Sequence, residues 1–361
     1  MNLIIRIFSI VFVFAILISC DEKTTEQKAE KNPPNVILLI GDGMGLSQLS
    51  SAFYYGEMEP NFARFKEVGL INTSSAKHKI TDSAAGATAF SCGEKTFNGG
   101  VGVNSDSVSI PNIVEILSDK NYNTGIISTS SVTHATPACF YAHVKSRGMQ
   151  EQIAVQLTAS DIDFFAGGGT KYFSKRTDSL DLINILNNNG FIINTDNKTE
   201  LQSNSKYGFL LADGGMPTML ENRGDFLPEY TKLALEYFDQ SDESFFLMVE
   251  GSQIDWAGHD MNADYLIAEV LDFDKTVGVA MDFAEKNKNT LVIVLADHET
   301  GGFTLAIDNG DYAEIKPEFA TSGHSTTLIP VLAFGQGAEH FKGIYQNNEI
   351  FHKILAVVKN K

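Results

Sequence analysis

With 361 residues, 43% of them hydrophobic and 20% charged, the chain can bury one large core or two ordinary ones and is globular. Its formal charge of −18 repels nucleic acid, whose binding rests on Lys and Arg neutralising phosphates, and no basic patch stands out, so nucleic acid is excluded as a partner. A phosphate ester is still admitted wherever bound metal cations make one site locally positive.

The first 19 residues read as a signal peptide. Arg6 precedes the apolar run "IFSIVFVFAILI", which is short for a bilayer span and suits a signal-peptide core. The run ends in "LISC", similar to a bacterial lipobox, which makes Cys20 the lipidated first residue of the exported protein; a plain signal peptide cleaved nearby is the alternative. Residues 20–34 then form a polar tether closed by two prolines, from a membrane (periplasmic or cell-surface) to a domain spanning 35–361.

That domain reads as α/β, a mostly parallel central sheet sandwiched by helices. The apolar runs "NVILLIG" (35–41), "TGIIST" (124–129), "FFLMVEG" (245–251), "TLVIVLAD" (290–297) and "PVLAFG" (330–335) are expected to be buried parallel strands. Helical stretches at 111–121 and 263–287 lie between them. The polar, Asn-rich region of about 165–230 reads as a peripheral excursion. Cys92 and Cys139 are expected to be free thiols, since a chain this long needs no staple.

In open α/β sheets the working groups collect beyond the carboxyl ends of the strands. Here those exits carry Asp42 in "GDGMG", Glu250, Asp255 and His259 in "VEGSQIDWAGH", and Asp297 and His298 in "ADHETGG". Singly, Asp42 could be a turn former, and Asp255 with His259 a solvated helical pair. Asp297 and His298 directly after an all-apolar strand are harder to place on a surface. Together these groups point to metal, because buried charges that coordinate nothing are costly. In "TDSAAGATAFSCG", Ser83 stands where a helix begins, as an N-cap or as a nucleophile that needs a base or metal to activate it.

The segments "GDGMG", "TDSAAGATAFSCGEKTFNGGVGV", "THATPACFYAHVKSR", "MVEGSQIDWAGHD", "LVIVLADHETGGF" and "TSGHSTTLIPVLAFG" resemble, in order and spacing, those of the alkaline phosphatases. The resemblance implies a hydrolase of small phosphate monoesters with Ser83 as nucleophile and N-cap, a phosphoseryl intermediate, and Arg147 holding the phosphate. It implies one zinc ion at Asp255, His259 and His324, and a second at Asp42, Asp297 and His298. A third metal, commonly Mg²⁺, would sit at Asp42, Thr136 and Glu250. Physical chemistry suits these roles: two ions about 4 Å apart can clamp both ends of an in-line displacement, and an arginine fork matches two phosphoryl oxygens.

Two positions depart from the best-known bacterial members, His134 in place of an aspartate and Trp256 in place of a lysine. An imidazole at His134 would tilt the third site toward Co²⁺ or Zn²⁺. Trp256 would offer the substrate a flat apolar wall or simply pack under its loop. The chain is shorter than most relatives, which leaves monomer or homodimer open. Competing readings are a phosphodiesterase, sulfatase or phosphonate hydrolase of the same fold, a phosphomutase, and a non-catalytic metal- or phosphate-binding lipoprotein.

Overall fold

The computed structural model describes residues 32–196, 201 and 205–359, so the expected signal peptide, Cys20 and the tether up to residue 31 lie outside the described residues. From Asn32 onward the described residues form one compact unit. Its core is a ten-stranded sheet. The first eight strands are β1 (Asn35–Gly41), β2 (Glu67–Asn72), β3 (Asn123–Ser131), β4 (Phe164–Gly168), β5 (Phe191–Asn194), β6 (Lys206–Leu210), β7 (Phe245–Gly251) and β8 (Thr290–Leu295). Strands Ile329–Gly335 and Gly343–Gln346 complete it. From one edge to the other the order is Gly343–Gln346, β2, Ile329–Gly335, β8, β1, β7, β3, β4, β6, β5.

The apolar runs fall where the sequence puts them. Every residue of β1, β7 and β8 is buried, as expected of apolar runs covered by helices on both faces. The 24-residue helix Ala263–Lys286 supplies much of that cover and starts at Asn262, whose side chain accepts from the Tyr265 N–H.

Two expectations need correction. Strand Ile329–Gly335 runs antiparallel to both β2 and β8. A parallel return requires a crossover, usually a helix. Residues 296–328 contain none; they form short strands, among them the exposed hairpin Thr304–Asp308 and Asp311–Glu318, and the chain re-enters the sheet from the end it left. Second, the region read as an excursion supplies β5, β6 and nearly all of β4, and Phe165, Tyr207 and Phe209 are fully buried there. Its Asn-rich loops mask strands too short to stand out in composition.

The same region carries a loop tied down by charge. Arg223, Glu269 and Asp272 are buried together, with Arg223 Nη2 2.8 Å from Asp272 Oδ2 and also donating to Glu269 Oε2, while Glu269 Oε1 accepts from the Met219 N–H at 2.8 Å. Removing one member of such a cluster strands the others in low dielectric, so it fixes the loop in one place. The turn at Gly215 lies against Trp256, close enough that a Cβ there would sit 2.6 Å from the indole. Among the described residues, Cys92 and Cys139 are free and buried, as expected.

Candidate metal centre

The site begins with three neighbouring strands that end together. β1 is hydrogen-bonded to β7 on one side and β8 on the other, with Ile40 opposite Glu250 and Leu295. The residues that follow or close these strands, Asp42, Glu250 and Asp297, therefore emerge side by side, and all three are fully buried. Gly43, at φ 71°, makes the turn after Asp42 in the left-handed region that glycine tolerates.

Each carboxylate has one oxygen hydrogen-bonded by the protein and one without a hydrogen bond. Asp42 Oδ1 accepts from Ser83 Oγ at 3.5 Å, Glu250 Oε2 from Ser128 Oγ at 2.5 Å, and Asp297 Oδ1 from the Gly43 and His298 N–H groups at 3.1 and 3.0 Å. Asp42 Oδ2, Glu250 Oε1 and Asp297 Oδ2 have no hydrogen bond. Burial, together with the neighbouring Asp297, Asp255 and Glu250, pushes the Asp42 carboxyl well above the usual range. Burial raises Asp297 too and lifts Glu250 to about 6. Unpaired buried carboxylates are costly unless a cation compensates them.

The described residues contain three groups whose ligating atoms lie within 4.8 Å of one another: Asp255, His259 and His324; Asp42, Asp297 and His298; and Asp42, His134 and Glu250. The first two bring together the triads the resemblance implies. The third sets His134 beside Asp42 and Glu250 of the expected third site. Thr136, on the short helix Ala135–Ala138, turns its hydroxyl toward Glu250 without a well-formed hydrogen bond.

The histidine tautomers point the same way. His259 Nδ1 lies 2.6 Å from the Ser322 carbonyl and His324 Nδ1 2.8 Å from the Thr81 carbonyl. A carbonyl only accepts, so both Nδ1 atoms carry the proton and both Nε2 atoms present lone pairs. Those Nε2 atoms face each other at 3.1 Å. Two acceptors at that distance repel, and a cation that both can ligate removes the conflict. Outer hydrogen bonds of this kind are how metal-binding histidines are oriented. His298 Nε2 sits 3.2 Å from Asp297 Oδ2 and 3.5 Å from Asp42 Oδ1, and burial holds its pKa down at about 3. The donor set of imidazoles and carboxylates thus fits divalent metal.

Ser83 opens the helix Ser83–Cys92, 1% exposed, with Oγ 3.3 Å from His298 Nε2. Its expected second job belongs elsewhere. Asp82 is the N-cap and accepts from the Ala85 N–H at 3.0 Å, so the Ser83 hydroxyl is left to face the second group. Asp82 Oδ2 also accepts from Arg147 Nη1 at 3.2 Å, and Arg147 Nη2 lies 3.3 Å from His134 Nε2. His134 is held at about pKa 3 by burial and then by Arg147. Trp256 meets His134 edge-on, ring centroids 5.8 Å apart, so it both packs under the Gly215 turn and flanks His134.

The role of Asp82 was not read from the sequence, although an acid directly before a helix-opening serine is a capping signal. Nor were those of Ser128 and Ser252, 2.9 Å apart behind Glu250; hydroxyls in a buried strand end, as in "STSS", were the available sign.

A mostly parallel α/β sheet whose carboxyl edge gathers three ligand groups beside a buried serine defines a metal-dependent enzyme of the phosphatase type. The chain belongs to the alkaline phosphatase family, whose family model matches residues 33–318. It is 36% identical over 310 residues to alkaline phosphatase 3 of Bacillus subtilis, covering 80% of this chain and 67% of that protein. The chain thus spans about two thirds of that relative's length. It matches the structure of the alkaline phosphatase from the Antarctic bacterium TAB5 with 57% identity and a TM-score of 0.90, covering 91% of this chain and 99% of that one. A histidine-to-aspartate variant of the TAB5 enzyme, with Mg bound in a site called M3, matches at 56% identity and a TM-score of 0.89, with the same coverage.

A chelator is expected to destabilise the protein more near pH 8 than near pH 5. Carboxyls whose folded pKa is raised keep their protons in acid, and the metal-free protein loses stability as pH rises through those values, about 6 for Glu250. Thermal midpoints with and without EDTA at the two pH values check this. An equal loss at both would mean that the carboxylates need no cation.

Proposed function

We propose that the protein hydrolyses phosphate monoesters to alcohol and inorganic phosphate through a phosphoseryl intermediate on Ser83. The observation that carries this reading is the position of Ser83 Oγ, 3.3 Å from His298 Nε2 and 3.5 Å from Asp42 Oδ1, at the N-terminus of a ten-residue helix. Two zinc ions, one held by Asp255, His259 and His324 and one by Asp42, Asp297 and His298, would lower the pKa of the attacking hydroxyl and take up charge on the ester oxygens.

The protein's own groups supply the rest. Asp42 and His298 orient the Ser83 hydroxyl. The first free N–H groups of the helix and its dipole favour the phosphoryl group beside it. Asp82 holds one nitrogen of Arg147, and the planar guanidinium offers a fork to two phosphoryl oxygens, a contact that favours a dianionic monoester over a diester. The burial of Asp42, Ser83 and Asp297 keeps bulk water from the hydroxyl. In the third group, His134 offers an imidazole to a site otherwise made by Asp42, Glu250 and Thr136, which favours Co²⁺ or Zn²⁺ over Mg²⁺. That a histidine-to-aspartate variant of the TAB5 enzyme has Mg bound in its M3 site supports reading a histidine as a determinant of the metal in a site of this kind.

The test compares p-nitrophenyl phosphate with the bis-ester. Ser83→Ala should lower monoester turnover about a thousandfold or more while zinc content stays at the wild-type level. Near-wild-type activity would refute the covalent route. Arg147→Ala should reduce monoester turnover by about a hundredfold and diester turnover far less; equal losses would remove its assigned role.

We also propose that the exported protein is anchored through lipid on Cys20, from the "LISC" stretch. One apolar tether has no substitute on an acidic surface, so Cys20→Ala should move the protein from the membrane to the soluble fraction. Continued membrane association would point to an uncleaved anchor instead.

A further inference from the structure

One hydroxyl outside all three ligand groups touches two of them. Thr300, in the two-residue strand Glu299–Thr300, is fully buried, with Oγ1 2.5 Å from Asp255 Oδ1 of the first group and 3.2 Å from His298 Nδ1 of the second. The direction of this chain of hydrogen bonds follows from its ends. The Asp255 carboxylate only accepts, so the Thr300 hydroxyl donates to it, and the lone pair of that oxygen is left for the proton on His298 Nδ1. His298 is then fixed as the tautomer whose Nε2 faces Asp42, Asp297 and Ser83 with a lone pair. The reverse arrangement would set Asp255 Oδ1 against an oxygen lone pair at 2.5 Å.

Thr300 is itself held on every side. Its N–H donates to the Gly43 carbonyl at 3.1 Å and its carbonyl accepts from Gln48 Nε2 at 2.8 Å. Its side chain fills a slot left open by two glycines. A Cβ on Gly43 would stand 2.7 Å from Oγ1, and one on Gly258 would stand 3.0 Å from the methyl group. The two histidines of the first group owe their tautomers to main-chain carbonyls, whereas His298 depends on a side chain that also serves a ligand of that group.

We propose that Thr300 is a positioning residue that sets the metal-binding tautomer of His298 and ties the second metal group to Asp255 of the first. The proposal rests on the reading of these groups as metal sites. Outer partners of metal-bound histidines typically contribute about 10- to 100-fold in metal affinity. Thr300→Val keeps the shape and removes the hydroxyl; Thr300→Ser keeps the hydroxyl and removes the methyl group.

The readouts are zinc retained after dialysis against a competing chelator, measured by elemental analysis, and the ¹⁵N resonances of the His298 imidazole in metal-free and zinc-loaded protein. Wild type and Thr300→Ser should retain zinc at both groups and show His298 protonated at Nδ1 in the metal-free state. Thr300→Val should hold the zinc of the second group about 10- to 100-fold more weakly and show a mixture of His298 tautomers. Wild-type retention and a single tautomer in Thr300→Val would overturn the proposal, as would Thr300→Ser behaving like Thr300→Val. Should valine not be accommodated, Thr300→Ser against Thr300→Ala makes the same comparison on a smaller side chain. A wild-type protein that retains no zinc would overturn the metal reading as well, an outcome that differs from a defect confined to Thr300.

Discussion

Three carboxylates delivered by adjacent strand ends to one dry point, Asp42, Glu250 and Asp297, impose the constraint around which the rest of the molecule is arranged. Each would repel the others if ionised without compensation, and burial removes the solvent that would screen them. The sheet makes the convergence unavoidable: with β1 between β7 and β8, the three side chains cannot leave one another without breaking the central ladder. A centre of this kind is stable with cations and strained without them. Metal binding and folding are therefore linked through the same residues.

Around that core the protein spends its small residues and hydroxyls on aim. The helix Ser83–Cys92, buried along its whole length, approaches closely enough that a Cβ on Gly86 would lie 2.9 Å from Asp297 Cβ. Only a helix rich in Ala and Gly can bring a serine this near to the ligands. Asp82 caps that helix and holds Arg147 with its other oxygen, so one side chain orients both the helix that opens at Ser83 and the Arg147 guanidinium. Ser128 steadies Glu250 from behind, backed by Ser252. The carbonyls of Ser322 and Thr81, with the hydroxyl of Thr300, set the ring orientations of His259, His324 and His298.

Much of this was legible in the sequence because burial on both faces leaves an unmistakable trace. β1, β7 and β8 are apolar runs, rich in Val, Ile and Leu in β1 and β8 and in Phe, Leu, Met and Val in β7, and the acids and histidines that leave them have no reason to follow such runs unless the strand ends face a site. The family's ordered segments then assigned partners that spacing alone could not, such as His324 with Asp255 and His259. Other features depend on contacts far apart in sequence. The direction of strand Ile329–Gly335 is decided by what the preceding connection lacks, and the short strands β4, β5 and β6 are interrupted by polar loops that dominate the composition. The capping role of Asp82 could have been read from its place before Ser83. Thr300 could not, because a lone threonine two residues after a histidine acquires meaning only when Asp255 is seen on its other side. The same holds for Arg223, whose two carboxylate partners lie on another element.

The account stands or falls on whether the hydroxyl beside these metal groups takes the phosphoryl group. The most direct measurement is a rapid acid quench of the metal-loaded protein during turnover of a monoester labelled in its phosphate, followed by digestion and mass spectrometry of the labelled peptide. The account predicts phosphate on Ser83, within the stretch "TDSAAGATAFSCGEK", and its disappearance when unlabelled substrate is chased through. Sustained hydrolysis with the phosphate on any other residue, or with no labelled peptide at any quench time, would contradict it.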